Sequence, residues 1–203
     1  MKFLIATRNP RKLEEIRAIF TLPYLELVSI SDYTGVPEVV EDGATLEANA
    51  VKKAVIPAIH TRLWTMADDS GLEVDALGGA PGVCSARYAG EPVSYEANNR
   101  KLLHELENVT NRKARFRCII ALSSPSGQWQ IVEGKCEGQV VDKIRGSNGF
   151  GYDPLFMPDG YDKTFAEMEN DVKNGISHRG AALNRARQLW SDLLVRHASK
   201  WNV

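Results

Sequence analysis

Three short segments of this 203-residue chain set polar side chains where a small charged ligand would meet them. The first is Thr7-Arg8-Asn9-Pro10-Arg11-Lys12, between an apolar run and a helical pattern. A loop entering a helix offers free backbone N–H groups and a favourable dipole for anions. Thr7 and Asn9 add hydroxyl and amide contacts, and Lys12 adds a point charge. On its own the same segment also reads as a plain helix cap with solvated basic residues. Neither the lysine-containing phosphate loop nor the glycine-rich dinucleotide fingerprint is present. The second segment, Asp68-Asp69-Ser70-Gly71, ends an apolar strand pattern. Successive strand residues face opposite ways, so one of the two aspartates faces any given site. Carboxylates with water suit Mg²⁺, which also takes oxygens from phosphates. Glu38, Glu41 and Asp42 in an earlier loop are candidates for a second carboxylate.

The third segment is Gly149-Phe150-Gly151-Tyr152-Asp153, taken with Lys173 and Ser177-His178-Arg179-Gly180. Glycines on both sides of Phe150 let the backbone approach a ligand closely. Phe150 or Tyr152 can stack on a base, a contact of about 1–3 kcal/mol. Lys173 and Arg179 suit phosphate or a carbonyl oxygen, Arg179 with a planar fork. A lone histidine such as His178 reads equally well as a helix-start residue satisfied by its neighbours. Together the segments ask for phosphates, a divalent cation and a flat ring.

The elements that must hold these groups follow from periodicity. Residues 2–6 read as a buried strand, and Pro10 opens a helix whose Leu13, Ile16, Ile19 and Phe20 recur at helical spacing. Residues 25–30 form a second strand and 35–43 an exposed loop. Thr45 starts a helix that Pro57 kinks or ends. Residues 63–67 form a third strand running into the paired aspartates, and 71–90, rich in Gly, Pro and Ala, form an irregular loop. A helix covers about 94–107. Residues 114–123 and 129–141 form an antiparallel hairpin around Ser124-Pro125-Ser126-Gly127, and a final helix spans 178–197. Crossover and hairpin strands with helices between them imply an α/β fold with a mixed sheet.

The composition, 43% hydrophobic and 25% charged, is that of an ordinary globular chain. No apolar run approaches the roughly 20 residues of a membrane span, and residues 1–6 read as a strand rather than an export signal. Cys84, Cys118 and Cys136 are far apart, which fits reduced thiols in a cytoplasmic protein and not a disulfide or zinc framework. A net charge of −1 provides no global field for a nucleic-acid polymer.

Seven stretches, in one order across nearly the whole chain, resemble the inosine triphosphate pyrophosphatase family, the bacterial dITP/XTP diphosphatases. They are residues 6–12, Glu41-Asp42-Gly43-Ala44-Thr45-Leu46-Glu47-Ala48-Asn49-Ala50 with Lys53-Ala54, residues 67–75, Gly78-Gly79-Ala80-Pro81-Gly82, Ser85-Ala86-Arg87-Tyr88-Ala89-Gly90, residues 149–154 and residues 176–180. The resemblance implies one domain over 1–203, with a mixed, twisted sheet and flanking helices forming two lobes around a central cleft. It implies hydrolysis of ITP, dITP and XTP to monophosphate and pyrophosphate, with Mg²⁺ as cofactor, by a homodimer. Carried over by motif, Asp69 is proton acceptor and metal ligand, Lys53 is catalytic with it, and Glu41, ahead of Glu38, supplies the second carboxylate. Thr7, Arg8, Asn9, Pro10, Arg11 and Lys12 bind the triphosphate. Ser70, Phe150, Gly151, Tyr152, Asp153, Lys173, His178 and Arg179 contact the nucleotide. Arg8 and Val40 depart from the family pattern.

Overall fold

Phe3, Leu4 and Ile5 are fully buried, as a strand lying inside a sheet requires. They belong to β1 (Lys2–Ile5), which pairs in parallel with β2 (Glu26–Ser29) on one side and β3 (Trp64–Val74) on the other. The computed structural model describes residues 1–198. Parallel neighbours need crossovers, supplied by α1 (Pro10–Ile19) and α2 (Leu46–Thr61). The remaining strands are β4 (Lys113–Ser123), β5 (Trp129–Val140) and β6 (Phe156–Pro158), in the sheet order β2-β1-β3-β4-β5-β6. β6 lies antiparallel to β5, so the sheet is mixed as expected. Helices α3 (Tyr95–Glu105), α4 (Asn170–Ile176) and α5 (His178–Ala198) complete the fold. No helix among the described residues is long and apolar enough to cross a membrane.

The chain divides into two compact units, and β3, β4 and β5 each begin in one and end in the other. The first comprises residues 1–69, 118–134 and 180 onward. Its core gathers Phe3, Ile5, Ile16, Phe20, Met66, Ile120, Leu183 and Trp190. The second comprises residues 70–117 and 135–179, with a core of Leu72, Leu102, Phe116, Tyr152, Phe156 and Phe165.

Local chemistry sets the helix starts. Asn9 caps α1 by accepting from the N–H groups of Arg11 and Lys12, with Pro10 at the first position. Thr45 caps α2 by accepting from Ala48 N–H, and Arg62 ends that helix in the left-handed conformation. Of the two outcomes expected at Pro57, a kink or an end, the structure excludes the end. The helix runs four residues past it, because Ala50, Ala54 and Ala58 bury one continuous face that outweighs a lost hydrogen bond.

The larger departure is in β3. Asp68-Asp69-Ser70-Gly71 lie inside this strand, which continues past the expected end at residue 67 as far as Val74. The expected irregular loop over 71–90 is therefore a strand end followed by two short 3₁₀ turns, Asp75–Leu77 and Gly82–Arg87. Ser85 ties this segment together. Its Oγ accepts from Leu72 N–H at 2.9 Å and donates to the Gly82 carbonyl at 2.6 Å, while its own carbonyl accepts from the Tyr152 hydroxyl at 2.9 Å. A Cβ at Gly71 would stand 2.3 Å from the Gly82 carbonyl oxygen, so only glycine allows this approach. β6 and α4 were not legible as separate elements. Gly71→Ala is expected to lower stability by about 1–3 kcal/mol through overpacking. A shift of the urea midpoint measures it, whereas a wild-type midpoint would show that the segment yields freely.

Candidate active site

The first unit carries a charged cluster at the end of its strands. Lys53, on the second turn of α2, donates to Asp69 Oδ1 at 2.7 Å and to Glu41 Oε2 at 2.9 Å. Lys12, on the first turn of α1, pairs with Asp68 Oδ2 at 3.0 Å. The two aspartates thus have different lysine partners, as alternation along a strand demands. Asp68 and Asp69 are buried and the Lys53 side chain is 12% exposed, whereas Glu41 remains 42% exposed at its side chain. Glu38 is exposed, and the cluster uses Glu41 in its place.

Burial raises the Asp69 carboxyl above its ordinary range, against the pull of Lys53 and Lys12, and the neighbouring Glu41 charge adds to the rise. Burial also acts on Glu41, but Lys53, Lys12 and a hydrogen bond with Asp69 together hold it below its usual value. Two carboxylates in one place cannot both ionise freely, and the more deeply buried one keeps the proton longer. Burial disfavours the Lys53 charge, yet Asp69, Asp68 and Glu41 outweigh it and keep this ammonium raised.

The rest of the first segment surrounds Lys12. Thr7 is buried, and its Oγ1 accepts from Asn9 N–H at 3.2 Å. Arg8 and Pro10 are exposed, and Arg11 faces solvent near Glu14. The structure therefore brings Lys12 to the carboxylates and leaves Arg8 and Arg11 at the surface.

The second unit holds the aromatic segment. Gly149 and Gly151 both have positive φ, at 72° and 63°. Between them the Phe150 N–H donates to Asp153 Oδ2 at 2.9 Å. Lys173 of α4 donates to the same oxygen at 2.7 Å, and both side chains of that pair are 5% exposed. The Lys173 ammonium lies 5.2 Å from the Phe150 ring centroid, and the Arg179 guanidinium carbon lies 5.7 Å from it. Arg179 also donates to Ser70 Oγ at 3.2 Å. Lys173 and Arg179 therefore lie over the Phe150 ring, and Ser70 is bonded to Arg179.

Two of the candidate rings are buried. The Tyr152 ring lies in the second core with its hydroxyl turned to Ser85, which leaves Phe150 as the candidate for stacking. His178 stacks on Phe116 at 4.5 Å between centroids and 11° between planes, a core position rather than an open one. Sequence reasoning also passed over Asn99 of α3, whose amide donates to the Gly151 carbonyl at 3.0 Å. A buried asparagine at a core position of an amphipathic helix was the available signal.

The profile of the Ham1 family matches residues 3–189. The chain belongs to the Ham1 family. Among its relatives in that family, the dITP/XTP pyrophosphatase of Desulforamulus reducens is 49% identical over 197 residues, covering 96% of this chain and 98% of the relative. The dITP/XTP pyrophosphatase of Geobacter sulfurreducens is 53% identical over 185 residues, covering 90% and 92%. The Ham1 protein of Staphylococcus aureus superposes with a TM-score of 0.86 at 40% identity, covering 95% of this chain and all of that one.

The buried Asp153–Lys173 pair is expected to hold the Phe150 loop of this Ham1 chain. Asp153→Asn leaves an ammonium buried without its counter-charge and should destabilise by about 3–5 kcal/mol in chemical denaturation. Adding Lys173→Met should recover much of that loss. Additive losses in the double variant would show that the two side chains act separately.

Proposed function

We propose that this chain hydrolyses non-canonical purine nucleoside triphosphates, namely ITP, dITP and XTP, to the monophosphate and pyrophosphate. The observation that carries the reading is Lys53 joining Asp69 and Glu41, with Lys12 beside them. This combines the basic groups a polyphosphate needs with the carboxylates a hard cation needs. The names of the relatives supply the substrate class.

The donor set fits Mg²⁺. Glu41 and Asp69 offer two carboxylates, and among the described residues no group of three or more His, Cys, Asp or Glu forms a full protein cage. Mg²⁺ keeps water and phosphate oxygens in its shell and takes only one or two carboxylates from protein. When bound, such an ion neutralises phosphate charge and acidifies water. Asp69, with its raised affinity for a proton, takes the proton of the attacking water. Lys12 and Lys53 receive the negative charge that grows on the phosphate oxygens. The Thr7 hydroxyl and the Asn9 side-chain amide complete the phosphate cradle, since Asn9 already caps the first backbone N–H groups of α1.

Phe150 stacks on the base, and Arg179 donates to O6. Arg179 is preferred over His178 because its guanidinium lies beside the Phe150 ring, while His178 packs on Phe116. ATP carries an amino group at C6, so a donor would face a donor and both would lose their hydrogen bonds. Such a mismatch discriminates by up to about 10⁴-fold. We further propose that the protein acts as a homodimer in the cytoplasm, and light scattering on the purified protein tests the dimer.

Asp69→Asn is expected to reduce kcat for ITP by about 10²–10⁴-fold, measured as Mg²⁺-dependent pyrophosphate release. An unchanged kcat removes Asp69 from the chemistry. Arg179→Met should collapse the ITP/ATP ratio of kcat/KM by about 10²-fold or more. A ratio equal to wild type sinks the O6 assignment.

A further inference from the structure

Glu41 sits in a loop without regular secondary structure, yet its carboxylate must meet Asp69 in a fixed geometry. Three contacts tie residues 41–43 to α2. Glu41 pairs with Lys53, Asp42 pairs with Lys52, and the Gly43 N–H donates to Asn49 Oδ1 at 2.8 Å. The first two are ion pairs. The Asp42–Lys52 pair has side chains 63% and 43% exposed, so solvent weakens it. A divalent cation competes directly with Lys53 for the Glu41 carboxylate. The contact to Asn49 is the one that no charged ligand displaces.

Asn49 is itself unusual. It is 1% exposed on the buried face of α2, one turn before Lys53, where an apolar residue would satisfy the core. Its Oδ1 faces a backbone donor, which fixes the amide orientation. Its Nδ2 has no hydrogen-bond partner among the described residues. A buried donor left this way is a cost, so stability does not account for an asparagine here. The fit to the loop is close as well. A Cβ at Gly43 would stand 2.5 Å from Asn49 Oδ1 and 2.9 Å from Ala48 Cβ. Residue 43 is thus pressed against the first turn of the helix, and its amide is aimed at one acceptor.

We propose that Asn49 is the positioning residue for Glu41, holding the loop through Gly43 so that the carboxylate stays beside Asp69 when a divalent cation replaces Lys53 as its partner. The inference rests on Glu41 being a ligand of that cation. Asn49 touches neither the cation nor the nucleotide. It acts on cation affinity through a backbone hydrogen bond two residues away.

The test uses the full-length protein and Mn²⁺ as the probe, with the free-ion EPR signal followed in the presence of the α,β-imido analogue of ITP. Asn49→Leu removes the acceptor together with the unsatisfied donor, so the thermal midpoint should stay near wild type while the Mn²⁺ Kd rises at least about tenfold. Gly43→Ala, which pushes the loop off the helix, should do the same. Asn49→Asp keeps the acceptor and should restore Mn²⁺ binding to near wild type. In a Glu41→Ala background, Asn49→Leu should have no further effect on the Kd. Wild-type Mn²⁺ affinity in Asn49→Leu, or an undiminished tenfold loss on top of Glu41→Ala, overturns the proposal. If Glu41→Ala alone leaves the Kd unchanged, the ligand assignment of Glu41 has failed, and the role of Asn49 falls with it.

Discussion

The Lys53 ammonium, shared between Asp69 and Glu41, is the interaction on which the charged cluster depends. Two ammonium groups, Lys12 and Lys53, meet three carboxylates, Glu41, Asp68 and Asp69. Desolvating that many charges is a poor route to stability, since apolar side chains of equal volume do as well or better. The arrangement makes sense as a field held ready for a ligand. Its excess of carboxylate over ammonium attracts a cation, and its two lysines tolerate the phosphates that arrive with one. The competition is visible in the carboxyl groups themselves, because burial pushes Asp69 up while the lysines hold Glu41 down.

β3 delivers these charges because a strand alternates its side chains. Asp68 meets Lys12, Asp69 meets Lys53 and Ser70 meets Arg179, in three consecutive residues. A loop at this point would leave each side chain free to choose its direction. The strand survives four polar or flexible residues because each is matched. The aspartates have lysines, Ser70 has a guanidinium, and Gly71 admits a carbonyl that any Cβ would exclude.

Much of the site was legible in the sequence because its parts are local. A polar loop before a helix, paired aspartates after an apolar run and a glycine-flanked aromatic each carry their chemistry within a few residues. The sheet's mixed character was legible for the same reason, from strand and helix periods. What escaped was decided by partners distant in the chain. Nothing near Asp68 announces that Lys12 neutralises it, so the strand was followed only as far as residue 67. Nothing near Tyr152 announces that Ser85 awaits its hydroxyl, so it read as a stacking candidate equal to Phe150. Pro57 does not end α2 because local propensity against a helix loses to the alanine face that the helix buries.

The glycine-rich motifs divide accordingly. Residues 67–75, 78–82 and 85–90 look like one chemical signature in the sequence, yet in space most of them are carpentry. Ser85 staples Leu72 to Gly82, and Asn98 of α3 holds the turn beyond by accepting from Ala89 N–H and donating to the Ala86 carbonyl. In that block Asp68 and Asp69 meet the lysines and Ser70 meets Arg179. A motif can therefore be highly specific to a family while its specificity is mainly geometric. The strand that bears the proposed proton acceptor must be braced, and bracing at van der Waals distance fixes residue types as tightly as chemistry does.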